Sequence, residues 1–156
     1  MAEQATLVII KPDAIQKALT GAVIARLDQL RLEIIASKMV RVPRGLAVEH
    51  YKHIKAKPFF EDTVQHLMGT LHNVSAVLML VYWGESAVER IRNSAGATNP
   101  EKAEPWSIRG GMGRNLASGL MENVLHASSD PAEAEREIRL WFRPQELLRQ
   151  PFVDWN

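Results

Sequence analysis

Five side chains are of the types that could form a phosphate-binding site: Lys11, Arg92, Arg109, His126 and Glu137. His126 ends a short apolar run, and Glu137 follows it within the next helical pattern. An imidazole that a carboxylate orients can act as a general base, a metal ligand or a covalent nucleophile. The three cationic residues favour a ligand that carries phosphate, because ammonium and guanidinium groups bind phosphate oxygens strongly.

The composition narrows the class of protein. A chain of 156 residues suits one domain, 1–156, since this length removes roughly 70% of the unfolded surface from water. The formal charge of +1 gives no broad positive field, so we expect neither nucleic acid nor an anionic membrane as a partner. The sequence has no cysteine, which excludes disulfides and thiolate chemistry. No secretory pattern is visible, and we expect a cytoplasmic location.

The site residues need elements that position them, and hydrophobic periodicity predicts these elements. Short apolar or β-branched runs predict strands at residues 7–10, 34–42, 74–82 and 120–126. Apolar residues at helical spacing predict helices at residues 21–31, 49–57, 59–68 and 85–92. Asp130 followed by Pro131 predicts the start of a last helix. The connection at residues 93–114 is long enough to suggest a functional loop.

Glu137 falls on the apolar stripe of that last helix, beside Ala134, Ile138 and Trp141. A carboxylate in this position must find a hydrogen-bonding partner or lose its charge, and His126 is the simplest partner. The order of elements contains two βαβ halves. It predicts an α+β fold, a ferredoxin-like βαββαβ sandwich with a four-stranded antiparallel sheet, helices on one face and extra helices.

Other histidines and glycines allow further interpretations. His50 and His53 lie three residues apart on a predicted helix and could bind zinc, but no cysteine or inward carboxylate nearby completes a site. His66 and His72 are expected at the surface. The glycines at residues 110–113 lack the Gly-Lys-Ser/Thr sequence of a phosphate-binding loop, so we reject that interpretation.

Seven motifs spread along nearly the whole chain resemble those of the nucleoside diphosphate kinases, in the order of that family. They are Lys11-Pro12-Asp13, Tyr51, Lys57-Pro58-Phe59-Phe60, Thr98-Asn99-Pro100, Ser107-Ile108-Arg109-Gly110, Asn123-Val124-Leu125-His126 and Glu137-Ile138-Arg139-Leu140-Trp141-Phe142. The resemblance implies a ferredoxin-like core and a nucleotide substrate with Mg²⁺. It also implies transfer of the terminal phosphoryl group from ATP to a nucleoside diphosphate through a phosphohistidine, in a homo-oligomer built from dimers as a tetramer or hexamer.

The same resemblance implies a role for each matched residue. His126 would be the nucleophile, and Glu137 would accept a hydrogen bond from the unreactive imidazole nitrogen, with Ser128 holding the carboxylate. The other implied roles are phosphate binding by Lys11, Arg92 and Arg109, a hydrogen bond from Thr98, ribose binding by Asn123 and Lys11, base stacking by Phe59, and a position beside the histidine for Tyr51. No residue is expected to be a metal ligand.

The chain departs from the family pattern after the histidine, where His-Gly-Ser-Asp is replaced by His126-Ala127-Ser128-Ser129. Extra residues also stand near 69–73 and 115–119. These departures motivate a second hypothesis, a catalytically weak nucleotide-binding or scaffolding relative, although a scaffold would not need the whole cationic set. A third, an RNA-binding sheet, lacks the aromatic strand motifs and basic charge that it would need.

Overall fold

The computed structural model of the chain describes residues 1–155. Its strands in chain order are β1 (Glu3–Ile10), β2 (Glu33–Val40), β3 (Val77–Glu85), β4 (Arg114–Asn115), β5 (Met121–Glu122) and β6 (Leu125–Ala127). Four of them form an antiparallel sheet in the order β2-β3-β1-β6, and β4 pairs with β5 in a separate hairpin. The predicted α+β fold with a four-stranded antiparallel sheet is confirmed.

The α-helices are α1 (Pro12–Gln16), α2 (Thr20–Asp28), α3 (Arg44–His50), α4 (Phe60–Met68), α5 (Ala87–Ala95), α6 (Ile108–Met112) and α7 (Pro131–Trp141). Short 3₁₀ turns lie at Lys52–Ile54, Pro100–Lys102 and Pro144–Glu146. The helix α7 begins where the sequence predicted, because the Asp130 side chain accepts a hydrogen bond from the Glu133 amide and Pro131 occupies the first helical position.

Alternate residues of the central strand β1 pack against opposite layers of helices. Leu7 and Ile9 join a core cluster that includes Ile138 of α7, whereas Val8 and Ile10 join one that includes Ile91 of α5. Helices therefore cover both faces of the sheet, and the expectation of helices on one face was wrong. Residues 7–10 of β1 are apolar without interruption, as expected where both faces of a strand are buried.

Two predicted segments, at 49–57 and 93–114, differ from the structure. The helix predicted at 49–57 is α3, which starts at Arg44 and ends at His50, and a 3₁₀ turn follows it. The connection at 93–114 is not structureless, since it contains the turn Pro100–Lys102 and the helix α6. No helix among residues 1–155 is long and apolar enough to cross a membrane.

The strand predicted at 120–126 is broken in two at Val124. This residue has a φ of 73°, which a β-branched side chain rarely adopts, so the run cannot continue as one strand. β5 remains in the hairpin with β4, while β6 joins the main sheet beside β1 and places His126 opposite Ile9.

Candidate active site

A cavity of about 440 Å³ opens at the end of β1 and β6. The predicted site residues that line it are Lys11, Tyr51, Phe59, Arg92, Thr98, Arg109, Asn123 and His126. Glu137 and Ser128, the other two predicted site residues, are buried and do not line the cavity. The fold therefore brings eight of the ten predicted site residues, from separate parts of the chain, to the wall of one cavity.

The imidazole of His126 is held by the carboxylate of Glu137. The Nε2 atom of His126 makes a short hydrogen bond with the Oε2 atom of Glu137, which projects from the buried stripe of α7. The other ring nitrogen, Nδ1, has no hydrogen-bond partner among the described residues and belongs to a ring that lines the cavity. Nδ1 is therefore the nitrogen that a ligand in the cavity can meet.

The electrostatics favour a neutral ring at His126. Burial keeps the pKa of His126 well below its usual range, and the nearby charges of Lys11 and Arg109 lower the pKa further. Because the proton then remains on Nε2 beside Glu137, Nδ1 carries a free lone pair near neutral pH. A neutral imidazole with one nitrogen tied to a carboxylate is equipped for nucleophilic attack.

Glu137 sits in an environment that opposes its charge. Burial raises the pKa of Glu137, and contacts with His50 and the Ser128 hydroxyl lower the pKa in compensation. The Ser128 Oγ atom also accepts a hydrogen bond of 3.1 Å from the Leu7 amide, which anchors Ser128 to β1. The predicted role of Ser128 beside the carboxylate is consistent with this position.

Lys11 and Asn123 form one polar pair in the cavity wall. The Lys11 Nζ atom donates a hydrogen bond of 2.8 Å to the Asn123 Oδ1 atom, and the Asn123 amide nitrogen donates to the Thr98 carbonyl at 3.0 Å. Burial and the charge of Arg109 lower the pKa of Lys11 from 10.5 to about 8. Because burial and a neighbouring positive charge destabilise this ammonium group, an anion that enters the cavity would stabilise its charged form.

Arg109 is fixed by the backbone around it. Its guanidinium donates hydrogen bonds to the carbonyl groups of Asn123, Gly96 and Leu125, at 3.2, 2.9 and 2.8 Å. Burial, and next the charge of Arg92, lowers the pKa of Arg109 to about 10. Arg109 therefore has two functions, because it ties β6 to the loop before α6 and adds positive charge beside His126.

The unusual backbone at Val124 is held by the segment after β1. The Asp13 carboxylate accepts a hydrogen bond of 3.0 Å from the Val124 amide, and the Lys11 amide donates to the Val124 carbonyl at 2.9 Å. A non-glycine residue with positive φ costs about 1–3 kcal/mol and persists where its surroundings determine it. These bonds fix the turn that aims His126, a role of Asp13 that the sequence analysis did not assign.

The mouth of the cavity has an aromatic side chain available for stacking. Phe59 is half exposed and lines the cavity, whereas the neighbouring Phe60 packs against the core cluster that contains Leu7. Leu120 and Met121, which follow the extra residues at 115–119, line the same cavity. The Tyr51 hydroxyl is buried and without a hydrogen-bond partner among residues 1–155, and burial raises the pKa of Tyr51.

Three expectations about histidines were wrong. His66 and His72 are buried rather than exposed: His66 contacts the Asp13 carboxylate at 2.8 Å and His72 contacts the Glu122 carboxylate at 2.6 Å. His50 is also buried and does have a carboxylate nearby, since its Nε2 atom lies 3.5 Å from the Oε2 atom of Glu137. Periodicity could not find these contacts, because they join residues distant in sequence.

The contact between His72 and Glu122 links the two regions of extra residues. His72 lies in the turn after α4, and Glu122 lies in β5, directly after the loop at 115–119. Lys17 and Arg114 also donate to the Oε1 atom of Glu122, at 2.8 and 2.7 Å. Of the extra residues, His72 joins this polar cluster, whereas Leu71 and residues 117–119 are exposed.

Two sets of donors near His126 bear on metal binding: the cavity wall, and a group behind it formed by His50, His126 and Glu137, whose ligand atoms lie within 4.8 Å of one another. The cavity wall near His126 is cationic, and Asp62 is the one carboxylate among its described lining residues. Mg²⁺ is usually bound through one or two carboxylates together with substrate phosphates. The single carboxylate of the cavity wall fits a metal ion that arrives with the phosphates of a nucleotide.

The fold and the site together define a phosphotransferase, and comparison with known proteins identifies the family. The family model described as nucleoside diphosphate kinase matches residues 4–147. A nucleoside diphosphate kinase of Pyrococcus horikoshii is 42% identical over 151 residues, which cover 96% of this chain and 92% of the relative. The chain therefore belongs to the nucleoside diphosphate kinase family.

Solved structures agree with this assignment. A nucleoside diphosphate kinase of Borrelia burgdorferi, a transition state mimic with bound vanadate and ADP, is 32% identical with a TM-score of 0.85. That comparison covers 97% of this chain and 94% of the Borrelia chain. A halophilic enzyme of Halobacterium salinarum in complex with CDP is 33% identical with a TM-score of 0.85, and the coverages are 97% and 95%.

Proposed function

We propose that the protein transfers the terminal phosphoryl group of a nucleoside triphosphate, typically ATP, to a nucleoside diphosphate by a ping-pong mechanism through a phosphohistidine at His126. One observation carries the proposal: the Nε2 atom of His126 is bonded to Glu137 while Nδ1 belongs to a ring facing a cationic cavity. The vanadate and ADP bound to the Borrelia relative and the CDP bound to the Halobacterium relative support a nucleotide in the corresponding cavity.

In the first half-reaction, the Nδ1 lone pair attacks the γ-phosphorus of ATP. A bond forms between nitrogen and phosphorus, the bond from phosphorus to the bridging oxygen breaks, and ADP leaves with that electron pair. In the second half-reaction, a β-phosphate oxygen of another nucleoside diphosphate attacks the phosphohistidine. Nδ1 regains its lone pair, and the proton on Nε2 stays beside Glu137 in both steps.

Charge stabilisation and positioning supply most of the catalysis in phosphoryl transfer. Lys11, Arg92 and Arg109 line the cavity and would neutralise phosphate charge, and the Thr98 side chain would add one hydrogen bond. Asn123 with Lys11 would bind the ribose hydroxyl, and Phe59 would stack on the base. Tyr51 would flank the histidine. Stacking contacts no base edge, so we expect broad tolerance of nucleobases.

Mg²⁺ belongs to this proposal as part of the substrate, Mg·ATP. The ion would neutralise phosphate charge and orient the terminal phosphate, as divalent ions do for nucleotides. The protein's residues then bind the remaining phosphate oxygens, hold the ring of His126 and exclude water from its deeper side. The absence of a carboxylate cage near His126 in the described cavity is the observation that supports this division.

Labelling tests the proposal. Purified protein is incubated with γ-labelled ATP and Mg²⁺, and label on the denatured chain is measured before and after an acid wash. Acid-labile label on the wild type, absent from His126→Ala and removed by added GDP, is the expected result. Nucleotide binding without any label on the wild type would overturn the proposal and favour a nucleotide-binding scaffold. Ala127→Gly and Ser129→Asp would then restore the family pattern after the histidine and test whether these two departures are the cause.

We also propose a domain organisation, a cellular location and an oligomeric state for the protein. Residues 1–156 would act as one domain, located in the cytoplasm, in a homo-oligomer built from dimers as a tetramer or hexamer. Support for association comes from large apolar side chains on the surface, including Met39 on the edge strand β2 and Trp106 before α6, 59% and 65% exposed. Sedimentation equilibrium at several concentrations tests the assembly, and a monomer throughout would contradict it.

A further inference from the structure

His50 is the buried titratable residue nearest to the catalytic pair that the proposed mechanism leaves without a role. It ends α3, and 1% of it is exposed, so it cannot touch a nucleotide in the cavity. Its ring centroid lies 4.5 Å from that of His126 with the planes at 76°, and 4.7 Å from that of Tyr51 at 87°. The ring is therefore enclosed by the two residues at the floor of the site.

The tautomer of His50 follows from its neighbour in α7. The indole nitrogen of Trp141, which can only donate, gives a hydrogen bond of 3.0 Å to the Nδ1 atom of His50. Nδ1 must then present a lone pair, and a neutral His50 must carry its proton on Nε2. Burial, together with the nearby His126, keeps the pKa of His50 well below its usual range, so the neutral form is the relevant one.

The proton on His50 points to Glu137. The Nε2 atom lies 3.5 Å from the Oε2 atom of Glu137, the same oxygen that bonds His126, and Nε2 has no hydrogen-bond partner within the described part of the chain. A buried N–H group normally finds an acceptor, and this oxygen is the acceptor in range. Arg136 fixes the end of α3 by donating to the carbonyl groups of Glu49 and His50, at 3.2 and 3.0 Å.

We propose that His50 is a positioning residue for phosphoryl transfer: its Nε2 proton holds the Glu137 carboxylate ionised and aligned with His126 while positive charge develops on the His126 ring. The inference rests on the proposed function. When Nδ1 of His126 bonds to phosphorus, the ring becomes more acidic at Nε2, and a carboxylate anion is the partner that stabilises it. A second donor on the same oxygen favours the anion over the neutral acid.

Side chains from several elements shift the pKa values of His50 and Glu137. The pKa of His50 is shifted by His126, Glu137, Arg136 and Lys11. The pKa of Glu137 is shifted by His50, Ser128, Arg136 and Glu133. Of these, His50 is the histidine whose proton faces Glu137 without touching the nucleotide cavity. Replacing it should therefore change the chemistry at His126 and leave nucleotide binding intact.

The test measures the rate of His126 phosphorylation after rapid mixing with saturating Mg·ATP, as a function of pH. His50→Phe keeps an aromatic ring and removes the donor, whereas His50→Gln keeps an N–H group near the position of Nε2. Trp141→Phe removes the donor that fixes the tautomer and keeps an aromatic ring, at the cost of some volume in the core cluster. His72→Gln is the matched control, because it removes another buried histidine paired with a carboxylate but not one that contacts Glu137. ADP affinity and circular dichroism confirm folding.

We expect His50→Phe to slow phosphorylation by about ten- to a hundredfold, the effect of losing one hydrogen bond to a charged group. Its ADP affinity should not change, and the acidic limb of its pH profile should move to higher pH, since Glu137 would bind a proton more readily. His50→Gln should recover most of the rate, Trp141→Phe should lose part of it, and His72→Gln should match the wild type.

A folded His50→Phe variant with the rate and pH profile of the wild type would overturn the inference. A His50→Gln variant as slow as His50→Phe, with an unshifted profile, would also overturn it, because packing alone would then explain both. If His50→Phe fails to bind ADP, the pH profiles of His50→Gln and Trp141→Phe decide, and wild-type behaviour in both overturns the inference. Failure of the proposed function is distinct, since the wild type itself would then not be phosphorylated.

Discussion

Raising the pH should stabilise the nucleotide-free protein and weaken nucleotide binding over the same interval, because both effects depend on the buried ammonium of Lys11. Burial and the charge of Arg109 lower the pKa of Lys11 from 10.5 to about 8. Between these two values the unfolded chain binds more protons than the folded chain, so the free energy of unfolding rises with pH.

The size of the effect follows from the shift. One pKa unit corresponds to about 1.36 kcal/mol, so the difference at Lys11 contributes roughly 3 kcal/mol, gained between pH 8 and 10.5. Only 7% of Lys11 is exposed, and solvent therefore screens this group little. Nucleotide affinity should fall by up to about tenfold per pH unit above 8, because phosphate binding requires the protonated form.

The assay compares wild type with Lys11→Met in urea unfolding from pH 7 to 10.5, with ADP binding measured in parallel. The difference in unfolding free energy between the two proteins should change by about 3 kcal/mol across the interval, and ADP affinity of the variant should lose this pH dependence. Lys55→Met is the control, because Lys55 is an exposed lysine. Parallel stability profiles for wild type and Lys11→Met would show that the buried ammonium of Lys11 does not cause the pH dependence.

Further predictions concern the turn before the nucleophile, the extra residues and the mouth of the cavity. Asp13→Ala should lower the unfolding free energy by about 3–5 kcal/mol, because it leaves the buried Val124 amide and His66 ring without their acceptor; a urea-unfolding loss below about 1 kcal/mol would contradict this. Glu122→Gln should destabilise the protein at neutral pH. Burial opposes the charge of Glu122, but hydrogen bonds from Lys17, Arg114 and His72 lower its pKa from 4.5 to about 2. The deficit of the variant should therefore shrink as the pH falls from 4.5 towards 2, and thermal unfolding that shows a constant deficit would be incompatible with the cluster. Phe59→Ala should weaken ADP, GDP and CDP binding alike, by about 1–3 kcal/mol, in titration calorimetry; a loss confined to one base would argue against stacking.

The sequence predicted the parts of the site that local pattern determines. An unbroken apolar run marks β1, and the Asp130-Pro131 pair marks the start of α7, which together place Glu137 on a buried stripe. Lys11 directly follows β1, and its expected role, like those of the other cavity residues, came from the family resemblance.

Contacts between residues distant in the chain could not be predicted from the sequence pattern. The break at Val124 depends on the Asp13 carboxylate, which lies far away in the chain, so the pattern of residues 120–126 predicted one strand. The sequence suggested His50 only as a possible zinc ligand with His53, because nothing in its own helix indicates its contacts with Trp141 and Glu137. Tertiary packing decides such features, and periodicity reports only the face on which a residue lies.

The identity of the atom that accepts the phosphoryl group can be measured directly. Phosphorus-31 NMR of the protein phosphorylated by Mg·ATP, denatured and digested under alkaline conditions, distinguishes the two phosphohistidine isomers. We expect phosphorus on the Nδ1 atom of His126, because Nε2 is hydrogen-bonded to Glu137. Phosphorus on Nε2 of His126, or on another residue, would contradict the claim that this hydrogen bond selects the nucleophile.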